Sequence, residues 1–391
     1  MRRTELLQEI RKMRFDEVYL GWSESRLNQE EAARILGVCD RTFRRYIHRY
    51  EAEGCSGLLD RRLTQASFRR APVDEVIAVA DLYRERHRGW NVKHFYSWYR
   101  IDGGQRSYTW VKNTLQSKGL VPKAPKRGAH RKRRERVPLP GMMLHQDGSN
   151  HEWVPDKKWD LIVTMDDATN EHYSMFFVQE EGTDSSFRGV RDVILQRGLF
   201  SSLYTDRGSH YWFTPEAGGK VSKTQLTQFG RAMKQLGIGM IPAYSPEARG
   251  RSERAFRTHQ DRLPKELAAH GIVRMEDANR YLAQVYLPAF NAEFMQPAAE
   301  EGTAFVEWIG TSLDDILCEQ HERTVSCDNC ISFEGKIMQI PADRYRCHYV
   351  KVKVMVHRYL NGSLSIFHGP RKLADYDKQG KLKETKKVKV A

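Results

Sequence analysis

Three acidic residues, each inside a short local pattern, are the clearest candidates for chemistry in this chain: Asp147 in LHQDGS, Asp206 in LYTDRGSHY and Glu253 in SPEARGRSERAF. Cutting or joining a phosphodiester needs a charged attacking oxygen, a charged leaving oxygen and a neutralised phosphate. Two Mg²⁺ (or Mn²⁺) ions about 3.5–4 Å apart supply all three, and a few carboxylates hold them. Such ions take hard oxygen donors and keep several waters, so three carboxylates shared between two ions suffice, without histidine or thiolate. Asp147, Asp206 and Glu253 are therefore the expected catalytic residues and metal ligands of a two-ion site. Any one of them alone reads more simply as a turn or cap residue; their conjunction carries the expectation.

The flanking elements are read as the parts that position these acids. Met142 to Gly148 is a short apolar run that predicts a strand with Asp147 near its end. Trp159–Met165 and His172–Val178 predict two further strands of a meander, with the turn-rich Asp166–Glu171 between them. In that setting Asp166 and Asp167 read first as turn residues, with support of the acidic site as the alternative. Ser185–Leu199 has helical spacing, and Ser202–Thr205 predicts a strand that delivers Asp206 into a loop. Thr227–Leu236 reads as a helix, Ile238–Pro242 as a fifth strand, and Ser245-Pro246 opens a long helix carrying Glu253 two turns in, with Arg257 at i+4. This order implies a mixed sheet covered by helices.

The pattern resembles the ribonuclease-H-like core of DDE transposases and retroviral-type integrases, whose third acid follows Ser-Pro-x-x-x-Gly-x-x-Glu. Here that signature spans Ser245 to Glu253, so the resemblance assigns the third ligand to Glu253, not to Glu247, which sits where the helix dipole favours an acid. Asp206 matches through Thr-Asp-x-Gly-Ser and Asp147 as the first acid on a strand; the resemblance covers roughly residues 140–295. Between Asp147 and Asp206 lie 58 residues, and between Asp206 and Glu253 lie 46, a longer gap that Pro215–Thr227 accounts for as a surface insertion. That spacing is more similar to bacterial insertion-sequence DDE transposases, such as the ISNCY group, than to retroviral integrases. Gln260 stands where many relatives carry Lys or Arg, and Arg257 is the candidate to reach the same DNA phosphate.

Composition points to a polyanionic partner independently. The 391 residues carry a formal net charge of +14, which favours nucleic acid without distinguishing DNA from RNA. A hydrophobic content of 40% is enough for ordinary cores, no apolar run approaches a membrane span, and MRRTELLQEIRKMRF lacks the apolar stretch of a secretory signal. Residues 27–54 predict a helix-turn-helix: Asn28 with Glu31 is a capping box, Gly37 marks the turn, Asp40 caps a second helix and Gly54 ends it. On that second helix Phe43, Tyr46, Ile47 and Tyr50 form the buried stripe, leaving Arg41, Arg44, Arg45 and Arg49 for a DNA major groove. A second helical module, Val73–Arg86, Asn91–Tyr99 and Ser107–Lys118, brings Lys112 as a further DNA contact. The segment VPKAPKRGAHRKRRERVPLP, with Arg131, Lys132, Arg133 and Arg134, reads as a basic linker that follows phosphates.

Downstream, Asp277–Phe294 predicts one helix. From Thr324 the chain changes to short alternating segments, with Asn361-Gly362 as a hairpin turn, and a lysine-rich tail ends it. Six scattered cysteines argue for a reducing compartment. Cys318-x-x-His321 with Cys327-x-x-Cys330 has zinc-like pair spacing, but its five-residue interval is short for a zinc module.

The expected fold class is multidomain α+β: N-terminal helix-turn-helix modules, a ribonuclease-H-like mixed α/β catalytic core and a small C-terminal β-barrel. The boundaries are 1–66 and 67–120 for two DNA-binding domains (the second helix-turn-helix or winged-helix), 121–140 linker, 141–298 core, 299–323 connecting segment, 324–376 barrel and 377–391 tail. The resemblance implies an enzyme that binds double-stranded DNA at terminal inverted repeats, cleaves strands and joins them to target DNA. It also implies self-association into a dimer or higher oligomer, and a cytoplasmic, nucleoid-associated bacterial setting. A DNA-binding regulator or domesticated relative without catalysis, or a nuclease that only cleaves, are the alternatives.

Overall fold

Reciprocal capping builds the first helical pair. Asn28 Oδ1 accepts from Glu31 N at 2.8 Å, and Glu31 Oε2 accepts from Asn28 N at 2.9 Å. These bonds satisfy two of the donors that a helix start leaves open. Gly37, at φ 68°, then takes the left-handed turn that separates α2 (Gln29–Leu36) from α3 (Asp40–Glu53), and α1 (Arg3–Ser23) precedes both. The N-cap of α3 is Cys39 rather than Asp40, which is its first helical residue. Phe15 and Val18 of α1, Ala32 and Ala33 of α2, and Phe43 and Ile47 of α3 form one buried cluster.

This computed structural model describes residues 3–59, 71–123, 135–216, 219–222, 224–244, 250–310 and 312–383. It divides into two units, Met1–Arg86 with Thr109–Leu120, and His87–Tyr108 with Val121–Ala391. The helices α4 (Val73–Arg86), α5 (Val92–Ile101) and α6 (Tyr108–Ser117) match the expected second module as elements. They separate between the units, however: α5 goes with the second, where its buried His94 Nε2 donates to Glu266 Oε1 at 2.7 Å.

The second unit is built on a five-stranded sheet of order β3-β2-β1-β4-β5. Its strands are β1 (Leu144–Val154), β2 (Lys157–Asp166), β3 (His172–Val178), β4 (Ser202–Thr205) and β5 (Gly239–Pro242). The first three pair antiparallel, while β4 runs parallel to both β1 and β5. One face carries α7 (Thr183–Arg197) and α8 (Gln228–Leu236), packed through Phe187, Val190, Phe229 and Met233. The other carries α9 (Gly250–Ala269), α10 (Met275–Tyr281) and α11 (Leu287–Phe294), packed through Phe256, Leu263, Leu282 and Phe290. The single helix expected over Asp277–Phe294 is interrupted by a π-helical stretch, Leu282–Tyr286. Pro288 supplies the reason, because it has no N–H to give to an i→i−4 ladder.

Beyond the core, β6 (Glu319–Thr324), β7 (Cys330–Phe333), β8 (Lys336–Gln339), β9 (Lys353–Arg358), β10 (Leu364–His368) and β11 (Arg371–Tyr376) complete the described chain. They form an antiparallel four-stranded sheet, β11-β10-β9-β6, and a separate β7-β8 hairpin over a shared core that includes Ile331, Tyr349, Val356 and Ile366. Among the described residues the hydrogen bonding does not close into the expected barrel. The expected hairpin turn joins β9 to β10, with Gly362 at φ 78°. The edge strand β6 begins before the expected boundary at 324, since EQHERT has no apolar alternation to announce it.

Candidate active site

Alternation sorts the side chains of β1 between two faces. Leu144 belongs to the α7–α8 core, and Gln146 Nε2 donates to Ser186 O of α7 at 3.1 Å while its Oε1 accepts from Tyr211 at 3.1 Å. His145, Asp147 and Ser149 take the opposite face, where Gln260 Nε2 of α9 donates to Ser149 Oγ at 3.0 Å. Asp147 is buried, and its Oδ1 accepts from Gly148 N at 3.0 Å.

Asp147 does not lie at the end of a strand, as expected, because β1 continues to Val154 against β2. What ends nearby is the pairing with β4, which aligns Leu144 with Leu203 and His145 with Tyr204. Extending that register sets Asp206, the first residue after β4, level with Asp147. Asp206 is half-buried, and its Oδ1 accepts from Gly208 N at 2.8 Å, folding the loop back on itself.

Glu253 reaches this region from α9. Ser245 to Arg249, most of the signature that precedes it, lie outside the described residues. Glu253, Arg257 and Gln260 fall on one stripe, at i, i+4 and i+7, and Gln260 anchors that stripe to β1. At the start of the helix, Arg251 contacts Asp167, whose Oδ1 also accepts from His145 Nε2 at 2.7 Å. Contacts on either side of Glu253 thus meet β1 on either side of Asp147. Glu253 and Arg257 are themselves exposed.

Two residues that sequence reasoning passed over stand beside the acids. Glu181 lies so close to Gly148 that a Cβ there would be 2.3 Å from its Oε2. His210 Nε2 is 3.5 Å from Glu181 Oε1, and a Cβ at Gly208 would meet both the His210 ring and Asp206 Oδ1. The glycines of the Asp-Gly and Asp-Arg-Gly patterns were the available signal, since each permits this close approach. The charge gathered here is felt by Tyr211: burial first, then Glu181, Asp147 and Asp206, push its phenol well above the ordinary value.

Asp166 and Asp167 part company. Asp166 is the turn residue expected, accepting from Thr169 N at 2.9 Å and Gly141 N at 2.9 Å, and burial raises its pKa. Asp167 is fully buried, and although burial works against its charge, the bonds from His145, Val137 N and Arg251 bring its pKa below the ordinary value. Arg136, at the end of the linker, donates to Asp167 O at 2.7 Å and to Asn170 Oδ1 at 2.9 Å.

Among the described residues no three His, Cys, Asp or Glu side chains are gathered closely enough to hold a metal ion. In donor chemistry and topology the acids do fit one: all offer hard carboxylate oxygens, one lies on β1 and one level with it just past the end of β4, and the third comes from the helix over the same face. Cys318 and Cys330 are buried apart from such a grouping, Cys327 is exposed, and His321 Nε2 lies 3.2 Å from Glu319 Oε2.

The expected DNA contacts are spread more widely. On α3, Arg41, Arg44 and Arg45 are exposed, whereas Arg49 is half-buried because the backbone at Gly57 packs against it. Lys112 is half-buried on α6, and Arg131, Lys132, Arg133 and Arg134 lie outside the described residues. No helix among the described residues is long and apolar enough to cross a membrane.

Comparison with known proteins joins these observations. A family described as winged helix-turn helix matches residues 17–69. The chain is 27% identical over 350 residues to "Putative transposase y4bF" of Sinorhizobium fredii, covering 88% of this chain and 76% of that protein. It is 28% identical over 253 residues to the transposase for insertion sequence IS1202 of Streptococcus pneumoniae, covering 62% of this chain and 53% of that one. This chain is similar in sequence to insertion-sequence transposases. Solved structures similar to this chain include a simian T-cell lymphotropic virus intasome in complex with PP2A regulatory subunit B56 gamma. It has a TM-score of 0.35 and 17% identity, covering 79% of this chain and 99% of that one. The HTLV-2 integrase catalytic core domain in complex with magnesium, in its dimeric form, has a TM-score of 0.28 and 18% identity, covering 38% and 89%.

Proposed function

We propose that this chain is a DDE transposase with a ribonuclease-H-like core, which binds the terminal inverted repeats of its element and catalyses DNA strand cleavage and strand transfer. The observation that carries this reading is the level alignment of Asp147 on β1 with Asp206 just past the end of the neighbouring β4, beneath a helix that bears Glu253. When bound, two Mg²⁺ or Mn²⁺ ions held by Asp147, Asp206 and Glu253 would lower the pKa of an attacking water or 3′-hydroxyl and neutralise the scissile phosphate. The chain's own residues do the positioning. The Asp206 carboxylate is fixed by Gly208 N and the Asp147 carboxylate by Gly148 N, so neither has to be ordered during reaction.

Arg41, Arg44 and Arg45 present cations in a pattern suited to the major groove. Arg257, exposed on the Glu253 stripe, would contact a DNA phosphate, a role that Gln260 leaves vacant by bonding Ser149. Pairing of two DNA ends implies that the transposase works as a dimer or higher oligomer.

Labelled repeat-end DNA with Mg²⁺ tests the reading. Asp147→Asn, Asp206→Asn and Glu253→Gln should each lower cleavage and joining by roughly two orders of magnitude or more, because several kcal/mol of charge stabilisation are lost, while repeat binding survives. Variants as active as wild type would defeat it. Cleavage without any joined product would favour a nuclease, and specific binding without either a regulator.

A further inference from the structure

Asp167 is a fully buried carboxylate that the proposed mechanism does not use. It follows β2, and its backbone N donates to Met143 O at 3.0 Å, just ahead of β1. Its Oδ1 accepts from His145 Nε2 at 2.7 Å and from Arg251, and its Oδ2 accepts from Val137 N at 3.0 Å. One side chain therefore ties together the strand that carries Asp147, the helix that carries Glu253 and the end of the linker. His145 lies two residues before Asp147 on the same face of β1. Arg251 lies two residues before Glu253 in the first turn of α9. A buried charge held by charge-assisted bonds has well-defined geometry, and removing a partner is costly because the other charge remains buried.

We propose that Asp167 is a positioning residue, which sets the separation of the Asp147 and Glu253 carboxylates by fixing the first turn of α9 over β1. This rests on the reading that those acids hold metal. The contact between Asp167 and Arg251 gives the start of α9 a fixed point in the core. Partners of this kind orient the ligating groups they support, and their loss weakens metal affinity roughly 10–100-fold.

The test uses the full chain. In Asp167→Asn, direct Mn²⁺ binding, followed by the electron paramagnetic resonance signal of free Mn²⁺, should weaken roughly 10–100-fold. The Mg²⁺ concentration giving half-maximal cleavage should rise in step, and high Mg²⁺ should recover part of the rate. Arg251→Gln removes only the α9 side of the junction and should move both midpoints the same way, which keeps the proposal testable if Asp167→Asn does not fold. A merely structural role would lower the melting temperature and leave both midpoints at wild-type values, and that result would overturn the inference. Asp147→Asn and Glu253→Gln serve as references. If they lose Mn²⁺ binding while Asp167→Asn and Arg251→Gln keep it, only the role of Asp167 fails; if the references bind like wild type, the metal reading fails and this inference with it.

Discussion

A methyl group at position 148 would stand 2.3 Å from Glu181 Oε2, and one at position 57 would stand 2.3 Å from Arg49 O. The distances are equal but the consequences differ, because a carboxylate at the end of a flexible side chain swings away while a backbone carbonyl does not. Gly57→Ala should therefore cost about 1–3 kcal/mol of stability through overpacking behind α3. Gly148→Ala should cost less than about 1 kcal/mol, yet reduce cleavage by moving Glu181 beside Asp147. Urea unfolding of both variants together with cleavage rates checks this; a large loss of stability at 148, or none at 57, would contradict it. The three acids could be picked out in sequence because each is embedded in a short pattern. Glu181 was not, since Gln179-Glu180-Glu181-Gly182 looks like any solvated turn and its neighbours, Gly148 and His210, are distant in the chain. Asp167 was only partly legible for a related reason: two adjacent aspartates before a turn share one local signal, which allows a turn role or support of the site for either, and only tertiary burial separates them.

At the scale of elements, α9 is held from below by a proton-matched chain. His172 Nδ1 donates to Asn170 O at 2.9 Å, which leaves its Nε2 to accept from His259 Nε2 at 3.1 Å; His259 Nδ1 then accepts from Tyr286 at 3.0 Å. This assignment uses both imidazoles neutral: a proton added at His172 Nε2 would face the His259 N–H, and one added at His259 Nδ1 would require the Tyr286 hydroxyl to turn from donor to acceptor. Burial accordingly pushes His172 down to about 4 and His259 well below its ordinary value. Since the unfolded histidine binds a proton near pH 6.5, the unfolded state takes up more protons between pH 6.5 and about 4. Stability from this arrangement is therefore complete above pH 6.5 and is lost as pH falls, by about 3 kcal/mol for His172 at the lower limit. Denaturant midpoints measured from pH 7 to 5 should decline, and His172→Asn should flatten the decline; equal slopes in the two proteins would count against the assignment. The helix carrying these contacts was visible in its apolar spacing, as were α2, α3 and most strands. What stayed illegible has physical causes: β1 runs past Asp147 because its antiparallel partner continues after its parallel one stops, the π-helical stretch answers to a proline beyond it, and β6 is a polar edge strand.

For the whole molecule, a net charge of +14 favours polyanionic partners but does not say where sequence would be read. The division into units was only partly legible, because α5 has the length and spacing of a helix in a DNA-binding module while His94 and Ser97 commit it to the core side, through Glu266 and Glu293. Likewise, short alternating strands suggested a closed barrel, whereas alternation fixes the faces of strands and not whether a sheet closes. Base reading and phosphate contact are separable by experiment if the proposed function holds. Arg44→Ala and Arg45→Ala remove exposed cations from α3, and at least one should cost about 1–3 kcal/mol on the specific repeat while changing random-sequence binding less. Arg257→Ala, beside the acids, should weaken binding to all sequences alike and reduce the slope of log affinity against log salt by about one. Titrations of specific and random duplexes at several salt concentrations measure both quantities. If the α3 variants keep the wild-type ratio of specific to random affinity, α3 is not the reading helix; if Arg257→Ala leaves the salt slope unchanged, that arginine does not meet a phosphate.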